Sequence, residues 1–231
     1  MSTATRYQHL RSELDSECIK AGRNPEEVLL LAVSKTVDVD QVALAIQAGA
    51  TAFGENRPDE LVRKHAAFPE VEWHFIGNIQ SRRIPDIVSA ATLIHSVSKE
   101  SHLAKIDAAA EKLGKCQRLL LEVNVSGEES KSGFAPQEVM GVLQRAKGLP
   151  HISIEGLMTM APQGNPQAII DTFSGLAQLK EAINAWLKKE DAYLLSALSM
   201  GMTEDWRVAV GFGTTIVRIG RAVFSDAFEE V

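Results

Sequence analysis

Residues 28–35 read VLLLAVSK, a continuous aliphatic run closed by Ser34 and Lys35. The run is too short for a core helix, and its branched side chains suit a strand buried on both faces. Segments 52–56, 72–77, 93–98, 118–126, 153–160, 194–200 and 214–220 share that character and bring the candidate strands to eight. Between them lie segments such as VDQVALAIQAG (39–49), PQEVMGVLQRAKG (136–148) and PQAIIDTFSGLAQLKEAINAWLKK (166–189). Their apolar residues recur at three- and four-residue spacing and they close on Gly or Lys, as crossover helices do. Strand and helix alternating in this way predict parallel βαβ units closed into a (β/α)8 TIM barrel, an open doubly wound sheet being the alternative. Ahead of the barrel, Tyr7, Leu10, Leu14 and Cys18 predict an extra N-terminal helix over residues 3–21 that stops at Gly22. No linker or low-complexity stretch interrupts the rhythm, so residues 1–231 are expected to form a single domain.

Composition removes several classes of function. Hydrophobic residues at 45% and charged residues at 23% are globular values, which excludes collagen-like, disordered and coiled-coil chains. Lys and Arg number 24 against 30 for Asp and Glu, and the net charge of −6 gives no global attraction to nucleic acid or to an anionic membrane. Cys18 and Cys116 lack any CxxC or metal-ligand spacing and are expected as two buried free thiols in a reducing compartment. The N-terminal residues carry charges throughout and no stretch approaches 18 uninterrupted apolar residues, so a cytoplasmic chain without a signal peptide or membrane span is expected.

In a barrel of this kind the chemistry gathers where the strands end. Lys35, Asn56, Gly77 and Ser98 close the first four candidate strands at a constant spacing of 21 residues. Lys35 would project into the barrel mouth, where a partly desolvated amine is a nucleophile able to condense with an aldehyde; otherwise it is a solvated strand-end lysine. In LSMGMTEDW (198–206), Ser199, Met200, Gly201 and Met202 lead to Thr203, which is expected to cap a helix beginning at Glu204 and Asp205. The amides there and the Ser199 hydroxyl would donate to a phosphate, an ordinary turn being the alternative. In GTTIVRIGR (213–221), Gly220 admits close approach of a ligand to the backbone, and Arg218 is placed either to meet a ring or anion or to form a salt bridge inside the barrel. A nucleophilic lysine, a phosphate cradle and an arginine between them suit an aldehyde-bearing phosphorylated cofactor, and pyridoxal 5′-phosphate (PLP) fits all three.

Other residues read as structural. His74 and His95 on strands, and His65 and His102 on helical segments, show no paired ligand spacing, so no metal is expected. Met158, Met160, Met200 and Met202 fit core and mouth packing, and Trp73, Trp186 and Trp206 fit packing of helices on the barrel.

The segments AVSKT (32–36), FGENR (53–57), HFIGNIQ (74–80), VNVSGEESKSGF (123–134), GLMTMAP (156–162), LSMGM (198–202) and VRIG (217–220) resemble the pyridoxal phosphate homeostasis proteins, the YggS/PROSC family. The resemblance implies a barrel like the N-terminal domain of alanine racemase, with PLP held as a Schiff base on Lys35. It places Ser199, the Gly201–Met202 backbone, Gly220 and the Arg221 amide at the phosphate, Arg218 at the pyridine nitrogen and Asn56 beside the ring, with Met200 in the same motif. Glu128, Ser130 and Lys131 belong to a loop at the mouth. Arg82 and Arg83, Ser98 and Phe224-Ser225 depart from the usual pattern and put rim chemistry and partner contacts in question, without touching the expected cofactor lysine.

A racemase needs a base on each face of the substrate carbon. Tyr7 lies in the first helix and Tyr193 precedes the seventh strand at the wrong end of the barrel, so neither supplies a second base. An arginine at the pyridine nitrogen also disfavours ring protonation and weakens the cofactor as an electron sink, which argues against fast decarboxylation or aldol chemistry but not against slow proton exchange, since racemases of the resembling fold tolerate it. These points favour a non-catalytic carrier that buffers PLP and hands it to apo-PLP-dependent enzymes; a low-activity amino-acid racemase and a partner-binding regulator are the alternatives, and a monomer is expected.

Overall fold

A computed structural model describes residues 1–128 and 131–227. Eight parallel strands close into a barrel in chain order: β1 (Leu29–Val33), β2 (Ala52–Glu55), β3 (Glu72–Phe75), β4 (Leu93–Val97), β5 (Gln117–Glu122), β6 (Ile152–Met158), β7 (Ala197–Ser199) and β8 (Ile216–Ile219). β1 also pairs with β8, Leu31 opposite Arg218, which leaves no strand edge exposed. The helices are α1 (Thr3–Lys20), α2 (Val39–Gln47), α3 (Pro58–Ala67), α4 (Ile84–Ala90), α5 (Glu100–Lys112), α6 (Val139–Ala146), α7 (Pro166–Lys189), α8 (Trp206–Gly211) and α9 (Arg221–Phe224). The (β/α)8 barrel with an added N-terminal helix is the architecture expected from the sequence.

Alternation along each strand sorts side chains into two apolar clusters. Leu31, Ala52, Leu93, Leu120, Met158 and Ile216 fill the barrel itself. Leu30, Phe53, Trp73, Ile94 and Leu121 face outward and are covered by residues such as Leu61, Ile87, Leu103 and Val142 from the helices. Because both faces are buried, a strand such as β1 reads as an uninterrupted aliphatic run. The ends of β2 and β3 meet so closely that a Cβ on Gly77 would lie 2.0 Å from the Asn56 carbonyl oxygen, which only glycine permits.

α1 buries Tyr7, Leu10, Leu14 and Cys18, and ends where Gly22 takes a φ of +70°. Its buried Arg6 donates from Nε to the Val223 carbonyl at 2.9 Å and pairs with Asp226, tying the helix to α9. Two sequence expectations are corrected here. Cys18 is buried but Cys116 is exposed, because it lies in the turn between α5 and β5, outside both apolar clusters; both thiols are free. The helix after β7 begins at Trp206 rather than Glu204, and Thr203 does not cap it: residues 203–205 form a turn whose Asp205 carboxylate accepts the Met202 N–H at 2.5 Å. Among the described residues no helix is long and apolar enough to cross a membrane, and no cluster of three His, Cys, Asp or Glu could hold a metal.

Candidate active site at the barrel mouth

A cavity of about 400 Å³ opens at the C-terminal ends of the strands, within the range typical of small-molecule sites. It brings together six of the nine residues singled out from the sequence: Lys35, Asn56, Met202, Arg218, Gly220 and Arg221. Val33, Ile76, Met158 and Met160 give it an apolar wall. Ser199, Met200 and Gly201 do not line it. Met200 is fully buried in the outer cluster, and Gly201 makes the turn at a φ of +96°, where a Cβ would meet Ala209 Cβ at 2.8 Å.

Lys35 is exposed at the mouth, in the turn directly after β1. That turn stands on a buried ionic platform supplied by α3 and β2. Lys64 Nζ donates to the carbonyls of Ser34 and Val37, each at 2.8 Å, and to Glu55 Oε1 at 2.6 Å. Ser34 Oγ donates to the same carboxylate oxygen at 2.6 Å, while Glu55 Oε2 is buried without a partner. Two carbonyls flanking Lys35 are therefore fixed by one ammonium whose three protons are all engaged.

Arg218 projects from β8 into the barrel and is 5% exposed. Its Nη1 donates to Ser199 Oγ at 2.7 Å and its Nη2 to the Thr159 carbonyl at 3.0 Å. Burial lowers its pKa to about 10, against the opposing pull of Asp205 and Glu122. Burial likewise raises the Glu122 carboxyl to about 7, Arg218 opposing the shift, and raises the Asp205 carboxyl, chiefly against the hydrogen bond from Met202. At the rim, Arg221 forms an ion pair with Glu204 across the cavity edge.

The Ser199 hydroxyl is not directed at the mouth. Its Oγ lies 2.9 Å from His95 Nδ1; His95 Nε2 lies 3.0 Å from His74 Nδ1; and His74 Nε2 lies 3.1 Å from Glu72 Oε2 near the opposite end of the barrel. Burial pushes the pKa of both imidazoles down, that of His95 strongly. Sequence reasoning read the two histidines only as strand residues without paired metal-ligand spacing. The signal that pairs them is the spacing of the strand ends, since His74 and His95 are also 21 residues apart and precede Gly77 and Ser98 by the same offset.

Gly77, Thr203 and Glu204, also picked out from the sequence, line the cavity as well, whereas the loop after β5, Arg83 and the two tyrosines lie outside its lining. Asn124 Nδ2 donates to the Glu128 carbonyl at 2.9 Å, and Lys131 N–H donates to the same carbonyl at 3.1 Å, which closes the base of that loop; Ser130 lies outside the described residues. Arg83 pairs with Asp59 and Asp86 at the edge of α4. Tyr7 is buried on the inner face of α1 and Tyr193 is 71% exposed ahead of β7, and neither lines the cavity.

Residues 17–227 match the family model described as alanine racemase, N-terminal domain. The chain is 34% identical over 229 residues to a pyridoxal phosphate homeostasis protein of Aquifex aeolicus, covering 98% of this chain and 99% of that one. PipY of Synechococcus elongatus PCC7942, in a structure with PLP bound, superposes with a TM-score of 0.83 at 30% identity, over 97% of this chain and all of that one (100%). An alanine racemase of Clostridium difficile 630 gives 0.74 at 13% identity over 95% of this chain and 57% of the racemase, a likeness of fold.

Proposed function

The chain belongs to the pyridoxal phosphate homeostasis proteins, built on the alanine racemase N-terminal domain, and on that premise we propose that it binds PLP in the barrel mouth as a Schiff base on Lys35 and buffers the cofactor as a carrier. The observation that carries this reading is one cavity of about 400 Å³ that holds the exposed Lys35 together with Arg218 and the Gly220–Arg221 turn. The donor set suits the cofactor. Lys35 is the primary amine an aldehyde requires, and Met158, Met160 and Ile76 offer apolar surface to a ring. Gly220 packs so tightly that a Cβ would lie 3.1 Å from the Val33 carbonyl oxygen, which keeps the backbone close to the cavity where Arg221 adds positive charge. Arg218, a donor with no acceptor, would face the pyridine nitrogen and hold it unprotonated.

When bound, PLP supplies an aldehyde carbon for amines and an electron-withdrawing ring. A protonated ring is the strong electron sink, and Arg218 opposes protonation, which suits storage better than carbanion chemistry. Asn56 would lie beside the ring. Neither tyrosine of the chain lines the cavity, so the second base of a two-base racemase is not supplied by that residue type. We accordingly assign the chain as a monomeric cytoplasmic carrier whose acceptors are apo-enzymes that use PLP.

The test is a titration of purified protein with PLP followed by visible absorbance, borohydride reduction and peptide mapping. The expected result is a Schiff-base band trapped on Lys35 and lost in Lys35→Ala, with the loaded protein activating an apo-enzyme and racemising no amino acid. Label spread over surface lysines, or no band, would refute cofactor binding at Lys35. Turnover of an amino acid without cofactor release would refute the carrier role.

A further inference from the structure

The polar residues lining the barrel interior form one connected chain. Arg218 has no acceptor, so it donates to Ser199 Oγ. At the other end, the Glu72 carboxylate has no donor, so the proton between it and His74 resides on His74 Nε2. His74 and His95 are 1% and 0% exposed, an environment in which an imidazole is neutral and carries a single N–H. His74 Nδ1 is therefore an acceptor and must receive from His95 Nε2. His95 Nδ1 is then an acceptor in turn and receives the Ser199 hydroxyl proton. The Glu72 end fixes this assignment and the Arg218 end is compatible with it, since Ser199 Oγ accepts from the guanidinium while its proton goes to His95, and every link pairs one donor with one acceptor.

We infer that Glu72, His74 and His95 are positioning residues for Arg218, acting through Ser199 along a one-directional hydrogen-bond chain that ties the guanidinium at the mouth to a carboxylate near the barrel floor. Rotation of the guanidinium would break a link that no water-filled space can replace, because Ser199, His95 and His74 are all buried. The Ser199 hydroxyl is committed to this chain, so its role is to hold Arg218. The inference rests on Arg218 meeting the cofactor, and its test separates the two.

Histidine ¹⁵N spectra of the cofactor-free protein are expected to show both rings neutral with the proton on Nε2; a proton on Nδ1 of either ring would overturn the assignment whatever the protein binds. The second arm is a double-mutant cycle read as PLP affinity from the visible band. Glu72 is 52% exposed, so Glu72→Ala should fold; it is expected to weaken binding by roughly five- to tenfold, the size of one lost hydrogen bond. Glu72→Gln, whose amide oxygen still accepts from His74, should recover most of the loss, which a general loss of stability would not do. Glu72→Ala and Ser199→Ala together should cost little more than the larger single loss. Independent, additive losses would overturn the coupling, whereas a missing band in the wild-type protein with the tautomers as assigned would overturn the cofactor reading and with it the effect of Glu72 on affinity.

Discussion

Replacing Lys64 with methionine tests whether the platform beneath Lys35 holds as described. Methionine preserves the length and much of the volume of the side chain, so the change isolates the charge and its three hydrogen bonds to Ser34 O, Val37 O and Glu55 Oε1. Both members of the ion pair are essentially inaccessible, at 1% and 0% side-chain exposure. Removing one partner of such a pair costs about 3–5 kcal/mol, because the remaining charge is buried without compensation. Glu55 would keep only the Ser34 hydroxyl, and its Oε2 already lacks a partner. For a chain of this size each kcal/mol moves Tm by about 2–4 °C, so Lys64→Met should melt roughly 6–20 °C lower. Urea unfolding gives the free energy directly from the linear extrapolation. Neutralising Glu55 as well, in Glu55→Gln/Lys64→Met, should recover much of the loss, since the uncompensated charge is then gone. A single-mutant loss under about 1 kcal/mol, the value of a solvated surface pair, would refute the reasoning, as would a double mutant no more stable than Lys64→Met.

Two further outcomes follow from burial and close contact. Glu122, 5% exposed, has its pKa raised to about 7 by desolvation, so between about pH 4.5 and 7 the folded chain binds more protons at this position than the unfolded one, and its contribution to stability falls as pH rises through that window. The shift corresponds to roughly 3 kcal/mol; the stability difference between wild type and Glu122→Gln, followed from pH 4 to 8, isolates it from His74 and His95, whose lowered pKa values give the opposite slope. A difference that does not change with pH would disprove it. Gly77→Ala, with its Cβ 2.0 Å from Asn56 O, should cost about 3 kcal/mol or more in urea and weaken PLP binding at the adjacent cavity. Gly22→Ala, at a φ of +70° with nothing near its Cβ, should cost only about 1 kcal/mol and leave binding intact, and equal costs at the two positions would contradict the packing described.

Legibility in the sequence followed how locally each feature is encoded. The strands were readable because a barrel strand is buried on both faces, which turns 28–33 into a continuous aliphatic run that no surface strand would show. Lys35, Asn56, Arg218 and Gly220 were readable because a polar residue or a glycine closing such a run lies at the mouth by topology alone. The start of α8 was not, since Thr203 followed by two acidic residues has the local pattern of a cap and first turn, and only the buried Asp205 carboxylate meeting the Met202 amide holds residues 203–205 in a turn instead. Lys64 was not either. Three residues after Leu61 it shares the buried face of α3, but a lysine in a basic last turn reads as solvent-facing by residue type, and only the Glu55 carboxylate on a neighbouring strand makes it a core residue. The partners of Ser199 were not readable for a related reason: which groups its hydroxyl meets depends on His95 and Arg218, 104 and 19 residues away in the chain.

The two buried polar systems divide the site between them. The pair formed by Lys64 and Glu55 fixes backbone, the carbonyls on either side of Lys35, and leaves that side chain exposed. The chain from Glu72 to Arg218 fixes a side chain, leaving the guanidinium one orientation. A ligand that bonds reversibly to Lys35 therefore meets a rigid anchor at the arginine and an exposed one at the lysine. Rigid anchors lower the ordering cost of binding, so on the proposed reading Arg218 and the Gly220–Arg221 turn would govern affinity, while the exposed amine would govern how readily the covalent bond exchanges with an incoming amine. The proposed carrier role would draw on that separation: retention and release would depend on different residues, and Lys35 would surrender the aldehyde without the barrel rearranging.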